Sequence, residues 1–508
     1  MRVLVDRREA LAAGADACAV GVFERGEKET ALPRSLAAED AAVGGLVKAA
    51  WDRKEIRGKR REITILHRPK GAGRLVLVGL GPRERYQHET ARRAAAEAVR
   101  ALKGRGARTL AFRLPSFVAE GVAAEPAARA LVDGAVLGSY EFVRYKSATD
   151  GAVEEASVHL GDDLAREEAG LRKAVAEQST VDDAVVWGRD LANLPPDTAT
   201  PERLAEEARA LGKELGLKVT VFDERRLAEM KCGGLLAVGG GSVHPPRLVV
   251  LEYAGGARRG RTVAVVGKGI TFDSGGLSLK PGPRMAEMKF DKSGAVAVLA
   301  ILRAAAQLKV GPRVVGVMAC AENLPSGSAY RPSDVVRSFN GKAIEVLNTD
   351  AEGRVVLADA LGYVAAQYRP DEVIDLATLT GAQVIALGDD TAGLVAPDDR
   401  LAAGILAAAQ VTGEPFWRMP LTDFHRELVK SEIGDVRNST EIPVAGMLTA
   451  AAFLEQFVGN VPWAHIDFAG ASWTNPLTRR YQPAYQPVGA TAFGVRTIVR
   501  YLLDAPRG

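Results

Sequence analysis

TVAVVGKGITFDSGGLSLKPGPRMAEMKFDKSG, residues 262–294, begins as a strand and ends at the start of a helix. Its opening, TVAVVG (Thr262 to Gly267), is the short apolar, β-branched run of a strand buried on both faces. The chain leaves that strand through a glycine-rich stretch carrying Lys268, Asp273, Lys280 and Asp291. Similar strand patterns lie upstream at VTVFD (Val219 to Asp223) and RLVVLEY (Arg247 to Tyr253). Downstream they recur at RVVGVMAC (Arg313 to Cys320), AIEVLN (Ala343 to Asn348), VIDLATL (Val373 to Leu379) and AHIDFA (Ala464 to Ala469). Helical periodicity separates them at Ser293 to Leu308, Val355 to Ala366 and Gly446 to Val458. The alternation predicts an α/β domain with a central mixed, largely parallel sheet and helices on both faces. Ligands of such sheets bind beyond the C-terminal strand ends, which is where the charged residues fall.

A chain of 508 residues exceeds one typical core, so two domains are expected. Residues 1–150 read as a smaller α/β domain. In it GRLVLVGLG (Gly73 to Gly81) is a strand, RRAAAEAVRALKGRG (Arg92 to Gly106) a helix closed by glycine, and TLAFRL (Thr109 to Leu114) the next strand. Arg83 and Glu84 follow Gly79 and Gly81, so no dinucleotide fingerprint forms. Residues 151–180 are polar and acidic with helical period, which predicts a connecting helix centred on Ala165 to Gln178. In DLANLPPDTATPERLAEEARAL (Asp190 to Leu211), Thr200 is the expected N-cap and Pro201 the first helical residue. Residues 181–508 read as the larger domain.

The apolar share of 47% and charged share of 25% are those of an ordinary globular protein. Sixty-six basic against 63 acidic residues leave +3, which demands neither nucleic acid nor an anionic membrane as partner. The basic run Arg57, Lys59, Arg60, Arg61 reads as a solvated face. Cys18, Cys232 and Cys320 form no CxxC pair or disulfide framework, and Cys320 lies in an apolar stretch expected to be buried. The N-terminus resembles no signal peptide, and no apolar run is long enough to span a bilayer. A cytoplasmic location is the simplest expectation.

NTDAEGR, Asn348 to Arg354, also leaves a predicted strand and enters a helix. In extended backbone Asp350, Glu352 and Arg354 share one face. Asp273, Asp291, Asp350 and Glu352 around one cleft repel each other unless cations intervene. Oxygen-rich ligation suits Mg2+ or Mn2+, with Zn2+ also accessible. The six histidines are scattered without HExxH, so a histidine-based zinc site has no support. Any one of these carboxylates taken singly is better explained by a helix cap or a surface charge. Their grouping favours a carboxylate-rich metal site.

NTDAEGR followed by VVLADAL resembles the signature of the leucyl aminopeptidase (cytosol aminopeptidase) family. VGKGITFDSGG and MKFD match the same family at the expected spacing. Weaker resemblances run from SYEFVRYKS (Ser139 to Ser147) through RDLANLPPDTATP, LLAVGGGS and ATLTGA to GATAFGVR (Gly489 to Arg496). The resemblance implies a macrodomain-like N-terminal α/β domain and a larger catalytic α/β domain. It implies two divalent ions per subunit, Mn2+ or Zn2+ with Mg2+ or Co2+ as alternatives, on Lys268, Asp273, Asp291, Asp350 and Glu352. Lys280 and Arg354 match the family's two catalytic residues, Arg354 through a bicarbonate that acts as general base. Lys268 can ligate only as the neutral amine, which nearby dications favour. Met288, Thr378, Gly381, Ala469 and Ser472 match the pocket for the first side chain.

The implied reaction is release of leucine and other apolar N-terminal residues from peptides with a free N-terminus, by attack of a metal-bridging hydroxide. The implied assembly is a homohexamer. The sequence departs from the family pattern at Asp197, where Asn is frequent, at Lys292, where a small or apolar residue is common, and in FAGASW (Phe468 to Trp473). Two other readings compete: the same fold with an added DNA-binding accessory role, which the near-neutral charge disfavours, and a two-metal phosphoesterase, which leaves NTDAEGR and the paired lysines unexplained.

Overall fold

The computed structural model describes residues 1–26, 29–69, 73–256, 261–440 and 442–505. They form two compact units, Met1–Asp183 with Tyr481–Pro487, and Ala184–Arg480 with Val488–Gly508.

The first unit contains strands β1 (Arg2–Asp6), β2 (Ala17–Phe23), β3 (Ile63–His67), β4 (Arg74–Gly81), β5 (Thr109–Arg113) and β6 (Glu155–His159). They form one sheet in the order β1-β6-β5-β2-β4-β3, in which only the β3–β4 pair is antiparallel. β2 and β4 are almost wholly buried, as central parallel strands covered on both faces should be. Helices His88–Leu102 and Ala124–Ser139 pack against each other through alanine-rich faces. The basic residues Arg57, Lys59, Arg60 and Arg61 are exposed. The acidic stretch after Thr149 contributes β6 before a helix, Glu168–Asn193, begins.

The second unit is built on β7 (Lys218–Phe222), β8 (Arg247–Tyr253), β9 (Thr262–Asp273), β10 (Arg313–Asn323), β13 (Glu372–Ala377), β14 (Ala392–Val395), β15 (Phe416–Met419) and β17 (Trp463–Asp467), where β11, β12 and β16 denote Val335–Arg337, Ala343–Glu345 and Val436–Arg437. The eight strands run in the order β15-β14-β17-β13-β9-β10-β8-β7. The central β17, β13, β9 and β10 are mutually parallel, and antiparallel pairs occur at β14–β17, β8–β10 and β7–β8. Thr200 caps the helix Pro201–Leu215 by accepting the Arg203 N–H, as its place before Pro201 predicts. All three cysteines are buried. Among the described residues no helix is long and apolar enough to cross a membrane.

Two expectations about local structure are corrected. AIEVLN does not join the main sheet. Only Ala343–Glu345 is a strand, in a separate sheet of order β11-β12-β16, because the following N–H groups of Val346 and Leu347 turn to Asp334 O and Asn438 Oδ1. Nor does TVAVVG end at Gly267. Pairing with β10 carries β9 on to Asp273, so Lys268 and Asp273 lie within the strand.

Alternation along β9 then separates two packing faces. Gly267 abuts the helix Ser293–Leu308 so closely that a Cβ there would stand 2.4 Å from Gly294 O. Lys268 points the other way, toward the helix Glu352–Tyr368. A Cβ on Gly353 of that helix would meet the Lys268 Nζ at 2.6 Å, so the glycine of NTDAEGR makes room for the lysine.

Candidate active site

β9 delivers Lys268 and Asp273 side chains that are 3% and 3% exposed. Asp291 follows a short 3-10 turn, Met285–Phe290, at the entry to the helix Ser293–Leu308. Asp350 lies in the turn before the helix Glu352–Tyr368, and Glu352 is that helix's first residue. Extended-chain alternation is therefore not what gathers the second motif. Successive helical residues are about 100° apart, so Glu352 and Arg354 diverge rather than align.

Lys268 Nζ lies 2.9 Å from Asp291 Oδ2 and 2.8 Å from Glu352 Oε1, and donates to Thr378 O at 3.0 Å. Lys280 Nζ lies 2.8 Å from Asp273 Oδ2 and forms a second ion pair with Asp350. Four carboxylates thus face two ammonium groups. Burial works against the Lys268 ammonium, but Asp291, Glu352 and Asp273 outweigh it and hold its pKa above the usual lysine value. Lys280 is raised in the same way by Asp273, Glu352 and Asp350 against its burial. Burial also pushes the Asp291, Asp350 and Glu352 carboxyls up, with their like-charged neighbours adding to it and the lysines opposing it.

Asp273, Asp350 and Glu352 each offer a carboxylate oxygen, all within 4.8 Å of one another, a grouping able to hold a cation. Asp291 Oδ2 and Asp350 Oδ1 are buried and meet the Lys268 and Lys280 ammonium groups. Excess negative charge and closely grouped oxygen donors fit hard divalent cations.

The site borders a cavity of about 300 Å³ lined by every expected ligand, by Lys280, and by Met288, Thr378, Gly381, Ala469 and Ser472. Phe290 and Trp473, stacked with ring centroids 5.5 Å apart, add an aromatic wall. Arg354 alone of the expected residues is not among the lining side chains. Its guanidinium donates to Asn438 O at 2.9 Å, its Nε is buried without a hydrogen bond, and burial lowers its pKa to about 10 against the pull of Glu352 and Asp467.

Asn323 and Thr349 support the site without having been singled out in the sequence, and Thr378, expected only in the pocket, also braces a candidate ligand. Asn323 Nδ2 donates to Asp273 Oδ1 at 2.8 Å, and the Thr378 hydroxyl donates to Asp291 Oδ1 at 2.6 Å. Thr349 ties the two motifs together by donating to Gly275 O at 2.7 Å and accepting the Ser278 N–H. The polar pair Glu322–Asn323 ending an otherwise apolar strand was the available signal for Asn323. Lys292, where the sequence departs from the family pattern, is fully buried and donates to the carbonyls of Leu194 and Lys289. Burial, with Lys289 adding to it and Asp291 opposing it, lowers its pKa to about 7.

Known proteins share this order of domains along the chain. The catalytic domain of the cytosol aminopeptidase family matches residues 186–499, and its N-terminal domain matches residues 19–149. A probable cytosol aminopeptidase of Roseiflexus castenholzii is 43% identical over 511 residues, covering 99% of both chains. One of Syntrophotalea carbinolica is 41% identical, again with 99% of each chain covered. Among solved structures, the bottromycin maturation enzyme BotP in complex with Mn superposes with a TM-score of 0.83 at 38% identity, covering 96% of this chain and 99% of that one. A tomato leucine aminopeptidase mutant gives a TM-score of 0.87 at 32% identity, covering 99% of this chain and 96% of that one. Similarity at this level over both domains and nearly the whole length means that the chain belongs to the cytosol aminopeptidase family and is a metallo-exopeptidase that hydrolyses peptides at the N-terminus.

Proposed function

We propose that Lys268, Asp273, Asp291, Asp350 and Glu352 hold two divalent ions, that Lys280 and Arg354 serve catalysis, and that the domain of residues 181–508 releases leucine and similar apolar residues from free peptide N-termini. The observation carrying this reading is the convergence of four carboxylates on two ammonium groups beside a cavity. Mn2+ is the first candidate, given the ion named with BotP, and Zn2+ the second.

When bound, such ions supply Lewis-acid polarisation of a peptide carbonyl and lower the pKa of water from 15.7 to roughly 7. Lys280, partly exposed toward the cavity, directs its ammonium at negative charge developing on the carbonyl oxygen. Arg354 retains a buried Nε donor without a partner among the described residues, suited to holding a small anion such as bicarbonate as base. Met288, Thr378, Gly381, Ala469 and Ser472 surround the first side chain, with Met288 the adaptable apolar contact. By the family resemblance the reading extends to a homohexamer working in the cytoplasm.

The test compares Leu-Gly-Gly with N-acetyl-Leu-Gly-Gly after incubation with Mn2+-loaded enzyme, read by mass spectrometry. Acetylation delocalises the amine lone pair and removes its affinity for a metal. Only the free peptide is expected to lose leucine, and equal cleavage of both would replace the reading with that of an endopeptidase or general amidase.

A further inference from the structure

β13 and β17 are paired in parallel register, Ala377 opposite Asp467, so their following loops leave the sheet side by side. Both loops line the cavity: Thr378, Leu379, Thr380 and Gly381 from one, Ala469, Gly470 and Ser472 from the other. Asp467, the last residue of β17, is fully buried. Its Oδ1 accepts the N–H groups of Leu379 at 3.1 Å, Thr380 at 3.4 Å and Ala469 at 3.3 Å, and its Oδ2 accepts the Thr380 hydroxyl at 2.6 Å. Gln383 closes the same circuit. Its N–H donates to Thr380 Oγ1 at 3.1 Å and its Oε1 accepts the Gly470 N–H at 2.7 Å.

On the aminopeptidase reading above, we infer that Asp467 is the positioning residue of the substrate pocket: one buried carboxylate ties both lining loops together and so sets the pocket's width for the substrate's first side chain. A carboxylate suits this place because three backbone N–H groups and a hydroxyl all donate to it, and an ionised carboxyl is acceptor-only. An amide that kept its oxygen on the backbone N–H groups would turn its own N–H toward the Thr380 hydroxyl and reverse that bond. Thr378, adjacent to Leu379, both accepts from Lys268 and donates to Asp291, so the loop that Asp467 fixes is the one that braces two expected metal ligands. Asp467 itself lines no part of the cavity and acts only through the backbone of its neighbours.

Asp467→Asn tests this in the full-length, Mn2+-loaded enzyme, with leucine and alanine p-nitroanilides as substrates and metal content measured in parallel. The folded variant is expected to lose about tenfold in its leucine-to-alanine ratio of kcat/KM, chiefly through KM for leucine, since pocket fit is what discriminates apolar side chains. A purely structural role would lower both substrates equally. Thr380→Val, which deletes the 2.6 Å bond, is expected to shift the ratio in the same direction, and Thr380→Ser to restore it. This pair decides the matter should Asp467→Asn fail to fold. An unchanged ratio in folded Asp467→Asn, or in Thr380→Val, overturns the inference while leaving the aminopeptidase reading intact. A wild-type enzyme inactive on both substrates takes down that reading and this inference with it.

Discussion

Lys268 Nζ lies 2.8 Å from Glu352 Oε1 and 2.9 Å from Asp291 Oδ2, which places the buried ammonium between two carboxylates that are themselves candidates to hold metal. An ammonium has no lone pair, so an ion that takes Lys268 as ligand must displace its proton. The carboxylates hold that pKa above the usual lysine value, so the proton is present at neutral pH before ions bind. Mn2+ uptake is therefore expected to release protons and to strengthen as pH rises. Calorimetric titrations in two buffers of different ionisation enthalpy measure this directly, with about one proton expected for the ion that engages Lys268. Uptake with no proton release would remove Lys268 from the ligand set.

Lys280 and Arg354 are expected to fail differently. The Lys280 ammonium lines the cavity, whereas the Arg354 guanidinium does not and is tethered to Asn438 O. Deleting a group that meets developing charge costs about 10²–10³ in kcat. Lys280→Ala should show that loss while keeping its metal. Arg354→Ala should be milder and respond to added bicarbonate. Single-turnover rates with metal analysis on both variants check the order, and a near-wild-type kcat for Lys280→Ala would end its assignment as the electrophilic group.

The layered α/β architecture was legible because its strands are short apolar runs and its helices alanine-rich, and burial on both faces leaves that mark in composition alone. The charged residues were legible for the converse reason: Lys268 and Asp273 follow an apolar strand run in a glycine-rich stretch. The local geometry behind NTDAEGR was not. Its carboxylates converge because a turn carries Asp350 and a helix begins at Glu352, and such a boundary shifts by a residue or two without changing the pattern. Asp467 was missed because an aspartate closing a strand looks like any loop entry. Its meaning comes from partners 87 or 88 residues away in sequence. Asn323 is similar, reaching Asp273 across a separation of 50 residues.

His465 and Asp375 yield the prediction with the clearest pH signature. Their side chains are both 0% exposed on adjacent parallel strands, with His465 Nδ1 2.6 Å from Asp375 Oδ1, and Trp463 Nε1 donates to the other carboxylate oxygen at 2.7 Å. Burial alone would lower the histidine pKa, but the charge and hydrogen bond of Asp375 outweigh it and raise it above 6.5. A base whose folded pKa is raised binds its proton more tightly in the native state. Its stabilisation is fully present below 6.5 and is lost as pH rises through the folded value. Melting temperature should therefore fall on the alkaline side of that point, and His465→Phe should flatten the fall. Removing one partner of a buried pair leaves the other uncompensated, at a cost of about 3–5 kcal/mol. The variant should accordingly be markedly less stable at pH 6, with a smaller deficit at pH values above the folded pKa of His465. Denaturant midpoints for both proteins across this range provide the comparison. Parallel profiles would mean that His465 is neutral in the native state, and that the pair with Asp375 is an uncharged hydrogen bond to imidazole rather than an ion pair.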